Sequence, residues 1–127
     1  MIVAGAHWLL RTGAALALLG VVLGAFGAHA LKNSLSADML AAYQIGVQYH
    51  LLHALGIVLI AILAASQPTW RRLHLAGWLM AVGVPLFSGS LYLLAITGVR
   101  TFGAITPLGG LCFIAAWGLL VIAPVRK

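Results

Sequence analysis

Four apolar runs, at about residues 12–31, 42–65, 73–96 and 104–123, dominate the chain, and each is long enough to cross a bilayer. A helical span needs roughly 20 predominantly apolar residues. In hydrocarbon the backbone must satisfy its own hydrogen bonds, which leaves helices or closed barrels. Only short stretches, at 32–38, 66–69 and 97–103, separate the runs. With 127 residues, 64% of them hydrophobic and 6% charged, the chain has room for four spans and for no separate soluble domain. The expected fold is therefore all-α: one transmembrane domain, 1–127, forming an up-down-up-down four-helix bundle.

Local signals predict the boundaries. Ser36 is placed to N-cap a second helix from about Ala37 to Ala65, and Ser66-Gln67-Pro68-Thr69 breaks it. A third helix follows from about Leu73 to Ile96, with Pro85 expected to kink it near its middle. Thr106-Pro107 reads as N-cap and first-turn proline of the fourth helix, although apolar residues begin at Phe102, and Pro124 ends it. In the first helix Gly13, Ala17, Gly20, Gly24 and Gly27 form a small-residue face that admits another helix closely. Ala28-His29-Ala30 has the form of a signal-peptidase site, but the preceding run exceeds a usual signal h-region and is read as uncleaved.

Charge narrows the partners. Asp38 is the only acid against seven Lys and Arg, a net charge of +6. The basic residues are spread over short segments with no patch, which fits lipid headgroups and argues against nucleic acid. Four spans collect Arg11, Arg71, Arg72, Arg126 and Lys127 on one side and leave Lys32 and Arg100 on the other. This five-to-two bias predicts both termini in the cytoplasm. Cys112 is the only cysteine, so no intrachain disulfide forms. No repeat links the halves, which gives no sign of an inverted-repeat transporter.

Polar residues inside the runs are the candidates for function, because an intramembrane polar group needs a partner. At about 100° per residue, Tyr43, Gly46, Tyr49, His50, His53 and Gly56 share an arc of roughly 140° on the second helix, away from Gln44 and Gln48. Pro85, Ser88, Gly89 and Tyr92 form one face of the third helix that can meet this arc. The topology brings His29, residues 43–53, Ser88 to Tyr92 and Thr106 to Gly110 into one leaflet, the outer one, with Arg100 nearby.

Four segments also resemble a known family. Gly24-Ala25-Phe26-Gly27-Ala28-His29, Gly46-Val47-Gln48-Tyr49 with His53-Ala54-Leu55, Leu86-Phe87-Ser88-Gly89-Ser90-Leu91-Tyr92, and Thr106-Pro107-Leu108-Gly109-Gly110 look like the signature blocks of domain-of-unknown-function family 423, which includes the transmembrane protein 256 group. The resemblance implies a small four-helix protein of the bacterial inner (plasma) membrane and supplies no reaction. His29, Tyr49, His53, Ser88, Ser90, Tyr92 and Thr106 keep the family pattern. The position of His50 is usually glutamine in relatives and that of Gln44 often acidic, so Tyr49 and His53 are preferred over His50 as site residues.

Several chemistries are weighed on these residues. His50 and His53, one turn apart, could share a metal with His29 or ligate haem. No cysteine or acid completes such a site, so histidines bonded across the bundle are the favoured reading, without metal or cofactor. Ser88 and Ser90 are read first as filling the hydrogen-bond gap left by Pro85, and second as lining a pocket. A serine hydrolase would lack its acid, and a proton-coupled exporter its intramembrane carboxylate. The leading expectation is a non-enzymatic membrane protein. Its polar pocket, at His29, Tyr49, His53, Ser88, Ser90, Tyr92, Thr106 and Arg100, would bind a lipid-like molecule or a partner membrane protein, with homo-oligomers possible. The alternative is an oligomeric small-solute channel or transporter lined by the same residues.

Overall fold

The computed structural model describes residues 4–123. Helices cover Gly5–Leu31, Ala37–Ser66, Arg71–Thr97 and Arg100–Val121, all long and apolar enough to cross a membrane. They run up-down-up-down and form a four-helix bundle. Pro124, expected to end the fourth helix, and the Arg126 and Lys127 used in the charge count lie outside the described residues.

Boundary chemistry explains where the helices start and stop. The Ser36 hydroxyl accepts the Met39 backbone N–H at 3.3 Å, so the second helix is capped as expected, and it runs from Ala37 to Ser66. The third ends at Gly98, whose φ of 71° lies in the left-handed region while its N–H bonds the Leu94 carbonyl at 2.8 Å. Glycine adopts this conformation without the Cβ clash that other residues incur. Thr106 does not act as the expected N-cap, because Ile105 takes that position and no side chain caps the helix. A 3-10 turn, Arg100–Ala104, leads in instead and puts Thr106 inside the helix with its hydroxyl turned to the third span.

The break expected at Pro85 is a five-residue π-helical turn, Pro85–Gly89, inserted between two α-helical halves. Proline has no N–H to give the carbonyl of Ala81, and one wide turn changes the hydrogen-bond register there. A second π-helical turn, Gly27–Leu31, ends the first helix. No sequence signal predicted it.

The second helix is the hub, with 44% of its most apolar window buried against 11% in the first and 17% in the fourth. The small-residue face of the first helix lies on it. A Cβ at Gly13 would meet Val58 and Ile57, one at Gly20 would meet Leu51 and His50, and one at Gly24 would meet Val47. Gly27 faces the Tyr43 ring. The glycines thus meet the second helix in antiparallel register from Tyr43 to Val58, about half its length, which allows the two backbones to pack closely. The fourth helix meets the third at Gly109, where a Cβ would lie 2.7 Å from the Phe87 Cα.

Side chains divide the bundle along its axis. One half holds the apolar core of Leu9, Ile57, Ile60, Leu73, Met80 and their neighbours. The other half holds the polar residues.

Candidate functional site

The polar half is a set of hydrogen bonds strung between helices. Tyr43 donates its hydroxyl to the Leu23 carbonyl of the first helix at 2.5 Å, and Ser88 donates to the Gly46 carbonyl at 2.6 Å. Ser90 lies 2.6 Å from the Thr106 hydroxyl and also donates to the Phe87 carbonyl at 2.8 Å. Neither serine turns to the Ala81 carbonyl that Pro85 leaves free. Both face neighbouring elements, because the π turn rotates them toward the second and fourth helices.

Two buried histidines complete the set. His50 Nε2 lies 2.7 Å from the Leu16 carbonyl, which only accepts, so Nε2 carries a proton and donates. Its Nδ1 lies 2.9 Å from the Tyr92 hydroxyl, and in the neutral ring it accepts that O–H. His53 is the opposite tautomer. Trp117 donates its indole N–H to Nε2 at 3.1 Å, so Nδ1 holds the proton and donates to the Tyr49 carbonyl at 2.8 Å. Both rings are 2% exposed, and among the described residues no buried polar side-chain atom lacks a partner. All four nitrogens of these two rings are engaged. Among the described residues no three His, Cys, Asp or Glu side chains gather as metal ligands.

His50 therefore joins three helices, although the family pattern set it aside. Its place on the arc with Tyr43 and Gly46 was the sequence signal for this role. Two other candidates stand apart. His29 is exposed on the π-helical turn that ends the first helix, and Arg100 is exposed in the connection before the fourth. The second helix starts at Ala37, as its serine cap predicts, and at roughly 1.5 Å per residue His53 lies about 24 Å from that start, near the middle of the helix.

Around His53 the polar set opens into an aromatic groove between the second and fourth helices. Its volume is about 380 Å³, and it is lined by Tyr49, His53, Phe87, Gly110, Phe113 and Trp117 among others. His53 stacks on Phe113 with centroids 3.6 Å apart, and Tyr49 packs on Phe87 at 4.6 Å. Gly110 leaves the wall thin there. Tyr49 is 40% exposed, and its hydroxyl has no hydrogen-bond partner among the described residues. A second hollow of about 280 Å³ lies between the first and third helices, with His50 and Tyr92 among leucines, Val84 and Pro85.

Four apolar helices with a hydrogen-bonded interior define a small polytopic α-helical membrane protein. The chain belongs to the family described as protein of unknown function (DUF423), whose family model matches residues 23–110. It is 49% identical to the UPF0382 membrane protein YwdK of Bacillus subtilis (strain 168), over 90% of this chain and 93% of the relative. Against the UPF0382 membrane protein SH2409 of Staphylococcus haemolyticus it is 44% identical, covering 90% and 92%. Against the UPF0382 inner membrane protein YgdD of Escherichia coli (strain K12) it is 37% identical, covering 84% and 80%. No solved structure matches it.

Proposed function

We propose that this protein is a non-catalytic component of the bacterial inner membrane that holds a lipid-like or small amphipathic molecule in the groove between the second and fourth helices. The observation that carries this reading is the unpartnered Tyr49 hydroxyl on the groove wall. An O–H at hydrocarbon depth gains more from an acceptor than the same group in water, since no solvent competes for it. The remaining wall is apolar or already satisfied: His53 has used both nitrogens and Trp117 its N–H. The ligand that suits such a wall is largely apolar, with a flat or slender body and one acceptor oxygen.

Catalysis has little support here. His53 has no free nitrogen to activate a nucleophile, and Asp38, at the start of the second helix, is far along the axis from it. The rival reading as a small-solute channel is also weaker, because His50, Ser88, Ser90, Tyr92 and Thr106 spend their hydrogen bonds on each other or on backbone. The positive-inside bias, which includes the undescribed Arg126 and Lys127, orients both termini to the cytoplasm in this proposal.

Mild extraction from the native membrane followed by mass spectrometry of bound molecules tests the reading. A molecule enriched over bulk lipid in the wild type and lost from Tyr49→Phe, which keeps the ring and removes only the hydroxyl, supports it. A preparation with no enriched molecule refutes it, as does one whose ligand persists in Tyr49→Phe. A flux change in liposomes on His53→Ala, with ligand retained, would favour the channel.

A further inference from the structure

The second helix is the most buried of the four, yet it keeps one seam that none of the other described residues covers. Ala41, Gln44, Gln48, Leu52, Leu55 and Leu59 are all exposed, at successive spacings of three or four residues. That spacing is the one at which two helices pack side by side at a shallow angle. Leu52, Leu55 and Leu59 are 54%, 56% and 53% exposed. Leucines facing lipid are ordinary. Gln48 is not ordinary, because at roughly 1.5 Å per residue it lies about 16 Å from the start of a helix about 45 Å long. With a hydrocarbon core of roughly 30 Å centred on that helix, the amide sits several ångström inside it.

Neither glutamine amide has a hydrogen-bond partner among the described residues; the neighbouring bonds of the second helix run from the opposite face, to the first, third and fourth helices. The exposed middle positions of the other three spans, such as Leu18, Val82 and Ile114, are apolar. The small-residue face of the first helix, which admits another helix closely, is also spent, since it holds the second helix of the same chain. Apart from the Tyr49 hydroxyl in its groove, the surface among the described residues that asks for a polar partner at hydrocarbon depth is therefore the Gln44 and Gln48 seam.

We infer that this seam is the interface of a parallel homodimer, with Gln48 bonded to Gln48 of a second copy. Two copies inserted with the same orientation carry every residue at the same depth, and a two-fold axis along the membrane normal sets a residue of this seam against itself. A carboxamide is its own complement, because its NH2 donates where the opposing carbonyl accepts. A lone Gln48 therefore finds a matched partner in a second copy without requiring any other protein. Gln44 repeats the arrangement one turn nearer the helix start, and the leucines below pack as the apolar part of the seam. This interface adjoins the Tyr49 groove at Leu52, which lines both, but the Gln48 pair does not depend on a ligand there.

Cross-linking in native membranes tests it. In a Cys112→Ser background, Leu55→Cys is expected to give a disulfide-linked homodimer on copper-phenanthroline oxidation, while Leu18→Cys on the first helix and Ile114→Cys on the fourth stay monomeric. Adding Gln48→Leu is expected to weaken the dimer about tenfold, as loss of a pair of interhelical bonds should. Gln48 is exposed within its own chain, so that substitution leaves the monomer folded, which an unchanged melting temperature in detergent verifies. Four results overturn the inference: a monomer at Leu55→Cys, equal cross-linking from Leu18→Cys or Ile114→Cys, an adduct with the mass of a different protein, or dimer yield unaffected by Gln48→Leu.

Discussion

Replacing Gly109 with alanine tests how the third and fourth helices meet. A Cβ built there lies 2.7 Å from both Cα and Cβ of Phe87, and the Phe87 backbone nitrogen is nearer still. Backbone cannot swing aside as a side-chain tip can, so the two helices must separate by roughly 1 Å to restore an ordinary carbon contact of about 3.5 Å. Separation of that size forfeits a quarter to a half of the dispersion energy of each contact it opens, and overpacking of this kind costs about 1–3 kcal/mol. It also strains the Ser90–Thr106 bond beside the crossing, now 2.6 Å, whose loss in a membrane adds about 0.6–1.7 kcal/mol. The expected destabilisation is about 2–4 kcal/mol. Gly118→Ala on the same helix is the control, because nothing lies within 4 Å of its Cβ. Removing a mid-helix glycine there is expected to stabilise by about 0.5–1 kcal/mol. Reversible unfolding in mixed micelles, followed by circular dichroism, measures both. Equal stability of the two variants would show that the crossing at Gly109 is not as close as described.

Other substitutions probe the polar half. His50→Leu and Tyr92→Phe each remove one end of the same bond, so their double-mutant cycle is expected to show coupling of about 0.5–1.5 kcal/mol in the same unfolding assay, and strict additivity would deny the contact. Trp117→Phe leaves His53 Nε2 without its donor and is expected to cost about 0.6–1.7 kcal/mol, whereas Trp78→Phe, at an exposed position on the third span, is expected to cost less than half of that. Gly98→Ala forces alanine into the left-handed region at φ 71° and is expected to lose about 1 kcal/mol, with protease cleavage of the third connection rising in parallel.

The bundle was legible in the sequence because lipid leaves few choices: four apolar runs and a serine cap at Ser36 nearly define the helices. The glycine face of the first helix was legible for a related reason, since residues with no side chain mark where another backbone must come close. The partner of that face was not. Helices that are apolar all round carry little directional pattern, so only the glycine register against Ile57, Leu51, Val47 and Tyr43 reveals the pairing. The arc from Tyr43 to His53 gave the right face of the second helix and contained His50, but relatives that carry glutamine there drew attention to His53. The π turn after Pro85 decided where Ser88 and Ser90 point, and a proline announces a disturbance without specifying its form.

The antiparallel register of Gly13, Gly20, Gly24 and Gly27 along the second helix also has a meaning for biogenesis. The first two helices form a hairpin whose close contacts need nothing from the other two, and the Gly109 crossing joins the last two in the same manner. Such a chain can enter the bilayer as two successive hairpins. Their docking then makes the Ser88, Tyr92 and Trp117 bonds to the second helix, so the part of the polar half that ties the hairpins together needs both of them in lipid.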